Sequence, residues 1–347
     1  MVRSPTGLPH SLDKLFADHP ETIQLPNGLT VTFQHIPTQP VVSVQAWIKT
    51  GSIHEDQHLG SGLSHFLEHM LFKGTRKRKP GEIAAEVQGF GGQINAYTAF
   101  DRTVYYIDGP TEALGQTLEL LADLTLNAAL PLEELEKERE VILREIDMTL
   151  DDPDRLVSRA LFSTAFKVHP FRYPVIGHRD LFERVNRDVL VDYYKSRYQP
   201  ENMVLAIAGH FDRTELLQQV EETFGSVSRQ VLKPVSVQQE PSQLAFRETR
   251  LFGDYTTARG LLAFKLPSMR HPDAPALDIM STIIGSGHSG RLRQRLREEL
   301  GLVYGISATT WNPGLPGLLW INYHCCAEKA EEAEQAILDT CPVSYTH

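Results

Sequence analysis

Residues 60–75 read Gly-Ser-Gly-Leu-Ser-His-Phe-Leu-Glu-His-Met-Leu-Phe-Lys-Gly-Thr, and the fold of the surrounding chain follows from this stretch. Its apolar residues predict a helix from Gly60 to Phe72 that is opened by a loop of small residues. His65 and His69 are four positions apart, so their side chains leave the same helix face about one turn apart. At that spacing both imidazoles can reach one zinc ion at about 2.0–2.1 Å.

Glu68 points to the same side of the predicted helix and is expected to act beside the metal rather than as an equal third ligand. A carboxylate in that place can take a proton from a metal-activated water and return it to a leaving amine. The alternative is that the two histidines and the glutamate are packed core residues. Burying three polar groups without partners would cost roughly 1–3 kcal/mol each, so the pattern favours a metal site.

A catalytic zinc site needs a third protein ligand and keeps one position open. A charged helix predicted over 132–150 offers Glu138 and Glu145, which are seven positions apart and share one face. On the residues alone, either carboxylate could complete the site. Because the segment is rich in Glu, Lys and Arg, the residues alone favour solvated helix carboxylates over a ligand role for both.

The rest of the chain mixes short apolar strands with amphipathic helices. Asn27-Gly28 predicts a hairpin turn within 22–34. Further strands are predicted at 41–48, 93–99, 103–107, 202–209, 260–264 and within 303–323, and further helices at 80–90, 110–127, 153–166, 179–198, 213–224, 274–285, 290–300 and 327–339. Because these elements do not follow a regular βαβ alternation, the predicted class is α+β, with two related domains that each hold a mostly antiparallel sheet packed with helices.

Composition argues against several classes of function. The 347 residues carry a formal net charge of −10, which disfavours sequence-independent binding to nucleic acid. The one basic cluster, Lys73–Lys79, is predicted to be a solvated loop. Three cysteines without a C-x-x-C spacing favour a reducing compartment. Met1–Pro20 lacks the pattern of a secretory signal, and no apolar run reaches the roughly 18 residues of a membrane span, so the predicted location is cytoplasmic and away from membranes.

Several further segments match one known family. They are Gly51-Ser52 with Glu55, Gly91–Thr98, Glu138–Ile146, Gly290–Leu292, Leu296–Glu298 and Gly301–Tyr304. Together with residues 62–75, they make the chain resemble the pitrilysin/insulinase family of zinc peptidases with an inverted His-x-x-Glu-His motif. The resemblance is strongest to the branch that holds bacterial processing-peptidase-like proteins and the mitochondrial processing peptidase β subunit.

The resemblance implies one Zn²⁺ per chain and selects its ligands. His65, His69 and Glu145 match the three zinc ligands of the family, and Glu68 matches the general base. Glu138 matches the family's second acidic position. A residue there contacts a metal ligand rather than the metal itself and so supports the site.

The resemblance also implies where a substrate and a partner act. Asn95, Ala96 and Tyr97 match the edge strand to which an extended peptide adds as an extra strand; without the resemblance, Asn95 would be an ordinary strand or turn residue. Arg297 and Tyr304 match a pair that reaches the active site of the opposite half of a closed chamber, where it binds the substrate carbonyl and stabilises the developing oxyanion. Taken alone, they would be a surface-helix residue and a core-strand residue. The pair is therefore expected to serve a partner subunit, in a homodimer or in a heterodimer with a family paralogue.

The predicted function is that of a zinc-dependent endopeptidase acting on short or unfolded peptides. One alternative is a catalytically inactive subunit or scaffold of the same family. Such members typically lack one or more motif residues, whereas this chain has His65, Glu68, His69 and Glu145. A purely structural zinc site is disfavoured, because such sites more often use cysteine and fill all four positions.

A change of composition divides the predicted domains. Residues 226–242 repeat Gln, Val, Ser and Pro with little periodicity. We predict a zinc-binding peptidase domain at 15–230, a linker at 231–245 and a second, inactive-type domain at 246–347. The last six residues, Pro342–His347, resemble the translated end of a sequencing adapter, so the second domain is predicted to be incomplete.

Overall fold

A computed structural model describes residues 19–229 and 231–341. The predictions made for the first 18 residues and for Pro342–His347 lie outside these ranges. The described residues group into two units. The first unit takes in the described parts of 1–146 and 173–238, and the second takes in those of 147–172 and 239–347. The domain limits at 230 and 246 stay a prediction.

The first unit is built on a six-stranded sheet. Its strands are β1 (Glu21–Gln24), β2 (Thr30–His35), β3 (Val41–Ile48), β4 (Gln93–Thr98), β5 (Thr103–Pro110) and β6 (Met203–Gly209), in the spatial order β1-β2-β6-β3-β5-β4. β2 and β6 pair in parallel, and the other neighbours pair antiparallel. Gly28 in the β1–β2 turn has a φ of +91°, which glycine adopts without steric cost. The predicted hairpin is therefore confirmed.

Helices cover one face of this sheet. Along β3 every second residue is buried, namely Val42, Val44, Ala46 and Ile48, because successive side chains of a strand point to opposite faces. The helices of the first unit are α1 (Leu63–Leu71), α2 (Glu82–Gly89), α3 (Leu114–Leu126), α4 (Leu132–Asp151, whose last residues belong to the second unit), α6 (Arg179–Phe182), α7 (Arg187–Arg197) and α8 (Arg213–Phe224).

The segment between β3 and α1 holds the end of the β4–β5 hairpin. The backbone N–H groups of Ser52 and Ile53 donate to the carbonyl oxygens of Ala99 (3.2 Å) and Phe100 (3.0 Å). A Cβ on Gly51 would lie 2.3 Å from the Ala99 oxygen, so glycine is the residue that permits this close approach. The C-terminal end of β4 is thereby fixed to the chain that leads into α1.

The second unit has its own sheet and core. Its strands β7 (Ala258–Leu266), β8 (Gly305–Trp311) and β9 (Gly317–Cys325) lie in the order β7-β9-β8, and both pairs are antiparallel. The helices of this unit are α5 (Pro153–Ala165), α9 (Ala274–Gly285), a π-helix (Arg293–Glu299) and α10 (Ala330–Thr340). On α5, the Phe162 ring meets the Trp311 ring edge to face at 4.9 Å between centroids, which ties α5 to β8.

The predicted α+β class is confirmed, because both sheets are mostly antiparallel and are packed with helices. The helix predicted over 179–198 is wrong in one respect, since it is interrupted and forms α6 and α7. The Oδ1 atom of Asn186 accepts the N–H of Val189 (3.0 Å) and so caps the start of a new helix. Within the described residues, none of the helices has the length and apolar character that crossing a membrane requires.

The irregular stretch before β7 is attached to the second unit through Glu240. Its carboxylate accepts backbone N–H bonds from Lys167 (2.9 Å), Val168 (2.8 Å) and His169 (3.0 Å), and it pairs with Arg247 at 3.3 Å. Burial alone would raise the pKa of Glu240, but these hydrogen bonds outweigh it and lower the pKa to about 2.

Glu240→Gln is expected to lower the free energy of unfolding by about 1.5–3 kcal/mol at neutral pH, because charge-assisted hydrogen bonds are lost. The ionised carboxylate stabilises the folded state above its ordinary pKa of 4.5, and this contribution is lost as the pH falls towards a pKa of about 2. The difference in unfolding free energy between wild type and variant, measured with urea, should therefore shrink below about pH 4.5.

The control is Glu248→Gln, which removes an exposed pair with Arg250 and should change the unfolding free energy by less than about 0.5 kcal/mol. A Glu240→Gln effect that stays constant from neutral pH down to about pH 3 would contradict this account of the carboxylate.

Candidate metal centre

Helix α1 buries its apolar residues in the core and keeps one polar face. Five of its residues are 0% exposed, namely Leu63, Phe66, Leu67, Met70 and Leu71. His65, Glu68 and His69 lie on the remaining face and are partly buried. The ring centroids of His65 and His69 are 4.5 Å apart, as the four-residue spacing predicts.

Glu145 of α4 completes a cluster of three possible metal ligands. One ligand atom each from His65, His69 and Glu145 can be chosen so that all three lie within 4.8 Å of one another. His65 Nε2 lies 3.9 Å from Glu145 Oε2. Two ring nitrogens and one carboxylate oxygen at these separations suit a tetrahedral zinc ion that keeps one position open.

Glu138 lies behind the cluster and bonds to two neighbours. Its Oε1 accepts from His69 Nδ1 at 2.8 Å, and its Oε2 pairs with Lys73 Nζ at 2.6 Å. Burial would raise the pKa of Glu138, but the bonds from His69 and Lys73 outweigh burial and lower it. Because an ionised carboxylate only accepts, Nδ1 of His69 carries a proton, and in the neutral ring Nε2 then has a lone pair for a metal.

The same pair explains the pKa of the His69 ring. Burial would lower this pKa, but the hydrogen bond to Glu138 and the nearby carboxylates outweigh burial and raise it. A more basic imidazole is also a stronger metal ligand, which is the usual effect of a carboxylate behind a ligating histidine.

His65 suits the role of a neutral ligand. Burial, together with the neighbouring His69, lowers the pKa of His65 to about 3, so the ring is neutral and able to bind a metal at neutral pH. Its Nδ1 atom is buried and has no hydrogen-bond partner among the described residues. The other ring nitrogen, Nε2, is the atom that lies 3.9 Å from Glu145 Oε2, and it is the candidate metal ligand.

Glu68 lies beside the cluster. Its Oε2 accepts a hydrogen bond of 2.6 Å from Thr98 Oγ1. Burial raises the pKa of Glu68, although the Thr98 bond and the nearby His69 act in the opposite direction. A carboxylate with a raised pKa at this place can exchange a proton with a water or a substrate at the cluster.

The strand β4, which carries the predicted substrate residues, forms one edge of the sheet. Ala96 shares the face of Thr98 towards α1, whereas Asn95 and Tyr97 point to the opposite face. Asn95 Oδ1 accepts the N–H of Ala96 at 2.8 Å. Along its outer side β4 has no partner strand among the described residues, so its backbone can pair with an extended peptide.

Comparison with known proteins identifies the family. The model for "Insulinase (Peptidase family M16)" matches residues 30–179, and the model for "Peptidase M16 inactive domain" matches residues 184–341. An uncharacterised zinc protease of Rickettsia bellii is 34% identical over 286 residues, which are 82% of this chain and 68% of that protein. The chain belongs to the insulinase family, peptidase family M16.

Other M16 relatives agree with this assignment. The probable mitochondrial-processing peptidase subunit beta of Arabidopsis thaliana is 34% identical over 77% of this chain and 51% of its own length. The crystal structure of a protease from Helicobacter pylori has a TM-score of 0.88 at 27% identity, over 93% of this chain and 79% of that one. The resemblance drawn from the motifs is confirmed. The chain spans 64 to 68% of the length of two curated bacterial zinc proteases that it matches.

Two predicted site residues lie in the second unit, within the region matched by the M16 inactive domain. Arg297 is in the π-helix, where its Nε lies 4.0 Å from the carboxylate of Glu298. Tyr304 precedes β8 and is 55% exposed, so it is not a core-strand residue. Its N–H donates to the carbonyl of His324 at 2.8 Å. The role of Arg297 and Tyr304 in a partner's site stays a prediction.

The basic cluster Lys73–Lys79 is not the solvated loop that the sequence suggested. Lys73 pairs with Glu138, and Arg78 pairs with the buried Asp123 at 2.8 Å. The spacing held one clue, because Lys73 lies four positions after His69 and so continues the side of α1 that carries the histidines. At least two of these cations are therefore structural, and Lys73 contacts the Glu138 carboxylate that bonds to His69.

Two further contacts at the site have no local signal in the sequence. Glu55 is 1% exposed and accepts the N–H of Ser64 (2.8 Å) at the start of α1. Thr98 bonds to Glu68 across a separation of 30 positions. Both contacts depend on how a strand and a loop pack against α1, which no residue spacing encodes.

Glu138→Gln is expected to weaken zinc binding roughly 10- to 100-fold, because a neutral amide orients His69 less firmly and leaves its ring less basic. Competition with a chromogenic chelator measures this affinity. Glu140→Gln changes an exposed carboxylate on the same helix and should leave the zinc affinity unchanged. Equal affinities for wild type and Glu138→Gln would contradict the role assigned to Glu138.

Proposed function

We propose that this M16 protein is a zinc-dependent endopeptidase that hydrolyses peptide bonds in short or unfolded peptides, with Glu68 as general base. The observation that carries the proposal is the cluster of His65, His69 and Glu145, beside which Glu68 is hydrogen-bonded to the edge strand β4. The similarity to bacterial proteins described as uncharacterised zinc proteases supports it.

In this proposal His65, His69 and Glu145 hold the zinc, and Glu138 orients His69. Bound zinc supplies Lewis acidity, which polarises a carbonyl oxygen and lowers the pKa of water to about 7. The donor set agrees with this use, because it has no cysteine and has three protein ligands rather than four.

The chain's own residues then bind the peptide and move the proton. The outer backbone groups of β4, around Asn95, Ala96 and Tyr97, pair with the substrate backbone and hold it extended. Glu68 accepts the proton of the attacking water and donates it to the nitrogen of the leaving amine. Since pairing uses main-chain groups, the substrate must present an extended backbone, which short or unfolded peptides do.

Glu68→Gln is expected to keep one zinc per chain and to lower the rate of cleavage by about 100-fold or more, because the base is lost while the ligands remain. Mass spectrometry of a tryptic digest of β-casein measures cleavage, and metal analysis measures zinc. The control Glu140→Gln should cleave like wild type. Full cleavage by Glu68→Gln would refute the assignment of Glu68.

The competing function is that of an inactive subunit or scaffold. The match to the M16 inactive domain is the observation that favours it. That match covers 184–341, whereas the cluster lies in the part matched by the insulinase model. The presence and close approach of all three ligands, with Glu68 beside them, favours the peptidase. A wild-type protein that binds zinc but cleaves no peptide in the casein digest would favour the scaffold.

We further propose that the protein works as a dimer in which Arg297 and Tyr304 of one subunit act on the substrate bound by the other. The exposed side chain of Tyr304 supports this, since a hydroxyl that donates to a substrate oxyanion must be accessible. The partner is a second copy of this chain or a paralogue of the same family.

Tyr304→Phe is expected to lower cleavage by roughly 100-fold through loss of an oxyanion donor. If the partner is a second copy, co-expression of Tyr304→Phe with Glu68→Gln should restore about a quarter of the wild-type rate, because half of a random mixture of dimers carries one intact composite site. Each variant alone should keep only the low rate expected for it, roughly 100-fold or more below wild type. A mixture that remains inactive would contradict action across two identical subunits.

A further inference from the structure

Thr98 connects the edge strand to the carboxylate of Glu68. It is the last residue of β4, and its side chain lies on the face towards α1. Its hydroxyl donates to Glu68 Oε2 at 2.6 Å, a short distance that is typical of a hydroxyl bonded to an ionised carboxylate. The bond holds Oε2 and so fixes the orientation of the whole carboxylate, including Oε1.

The position of Thr98 is itself fixed on three sides. It pairs with Thr103 of β5 in the antiparallel register. The next residue, Ala99, donates its N–H to the carbonyl of Arg102 (2.8 Å) and accepts from the N–H of Ser52 (3.2 Å). The hydroxyl that reaches Glu68 therefore comes from a rigid point of the sheet, although β4 is an edge strand.

We propose that Thr98 is a positioning residue for the reaction: it aligns the carboxylate of Glu68 from the same strand that receives the peptide. This inference rests on the proposed function. One strand thus provides the backbone for the substrate and the hydrogen bond for the base, so that their relative placement does not depend on the flexible side chain of Glu68 alone.

The alignment matters because a glutamate side chain has three rotatable bonds. A general base acts only when its oxygen is within about 2.6–3.2 Å of the proton that it takes, and misplacement by about 1 Å can cost 100-fold in rate. Without the Thr98 donor, the carboxylate of Glu68 populates other rotamers. The loss then falls on the chemical step and not on the binding of the peptide.

Thr98→Val is nearly isosteric and removes the hydroxyl. In the zinc-loaded full chain it should lower kcat roughly 10- to 100-fold and leave KM within about twofold. The probe is a quenched-fluorescence peptide built on a cleavage site that the wild-type protein uses in β-casein. Thr98→Ser restores the donor and should recover most of the lost kcat. Thr98→Ala removes the hydroxyl without adding a methyl group, so it repeats the test independently of how valine packs.

Thr103→Val is the matched control. Its hydroxyl donates to the carbonyl of Thr50 at 3.0 Å and is buried, so the variant loses a hydrogen bond of the same hairpin without touching Glu68. It should lower thermal stability while keeping kcat within about threefold of wild type. Zinc content should be unchanged in the Thr98 variants.

A second readout does not use catalysis. In the Glu68→Gln background, where the peptide stays intact, Thr98→Val should bind a fluorescein-labelled form of the same peptide as tightly as Glu68→Gln alone, by fluorescence anisotropy. A loss of binding of tenfold or more would show that Thr98 holds the substrate or the strand, and would overturn the positioning role.

The inference also fails if Thr98→Val keeps the wild-type kcat, if Thr103→Val loses as much kcat as Thr98→Val, or if Thr98→Ser recovers nothing. In each of these cases wild type cleaves and Glu68→Gln does not, so the proposed function stands. If wild type itself cleaves no peptide, or if Glu68→Gln cleaves like wild type, the proposed function fails and the role of Thr98 fails with it.

Discussion

A buried carboxyl group holds helix α1 at each end, and the geometry of the candidate metal centre depends on this arrangement. Glu55 accepts the N–H of Ser64 in the first turn, where the helix has unpaired N–H groups that favour an acceptor. Glu138 bonds to His69 and Lys73 at the other end. The apolar residues between these ends are fully buried. Because the interior is close-packed, the helix cannot turn about its axis without breaking polar bonds in a low-dielectric environment. The orientation of the helix face that carries the possible ligands is therefore set by residues that are not themselves possible ligands, namely Glu55, Glu138 and the buried apolar residues of α1.

The edge strand β4 is also held by residues outside the possible ligand set. The stretch that begins at Gly51 holds the end of the β4–β5 hairpin through its backbone and then, through Glu55, holds the start of α1. Strand and helix are thus fixed by one short segment, and the bond from Thr98 to Glu68 closes the arrangement. An edge strand usually has the freedom to fray. Here the frame around β4 removes that freedom at its C-terminal end, where a bound peptide would approach the carboxylate of Glu68.

Part of the fold and of the candidate site could be predicted from the sequence, and physical reasons separate the features that could be predicted from those that could not. The shared face of His65 and His69 follows from helical spacing alone, and the β1–β2 hairpin follows from Asn27-Gly28, because both are local. The choice between Glu138 and Glu145 could not be made from their seven-residue spacing, which puts both on one face; family resemblance selected Glu145, and its position relative to α1 in the structure agrees. The break between α6 and α7 depends on one side-chain cap at Asn186, which propensities do not reveal. The contacts of Glu55, Lys73 and Thr98 are tertiary, so spacing gave at most a hint for Lys73 and none for the others.

The separation of the possible ligands along the chain has a consequence for the life of the folded protein. Glu145 lies 76 positions after His69. An ion held by both would join α1 and α4 only in the folded chain, so it would stabilise the folded state by an amount that grows with the free zinc concentration relative to the dissociation constant. The proposed zinc would then connect α1 and α4 in the folded chain, in addition to its proposed role in catalysis. A chain that loses its ion would open more often and become available to cellular degradation. Zinc supply would accordingly govern how many molecules persist, in addition to how many of them can act.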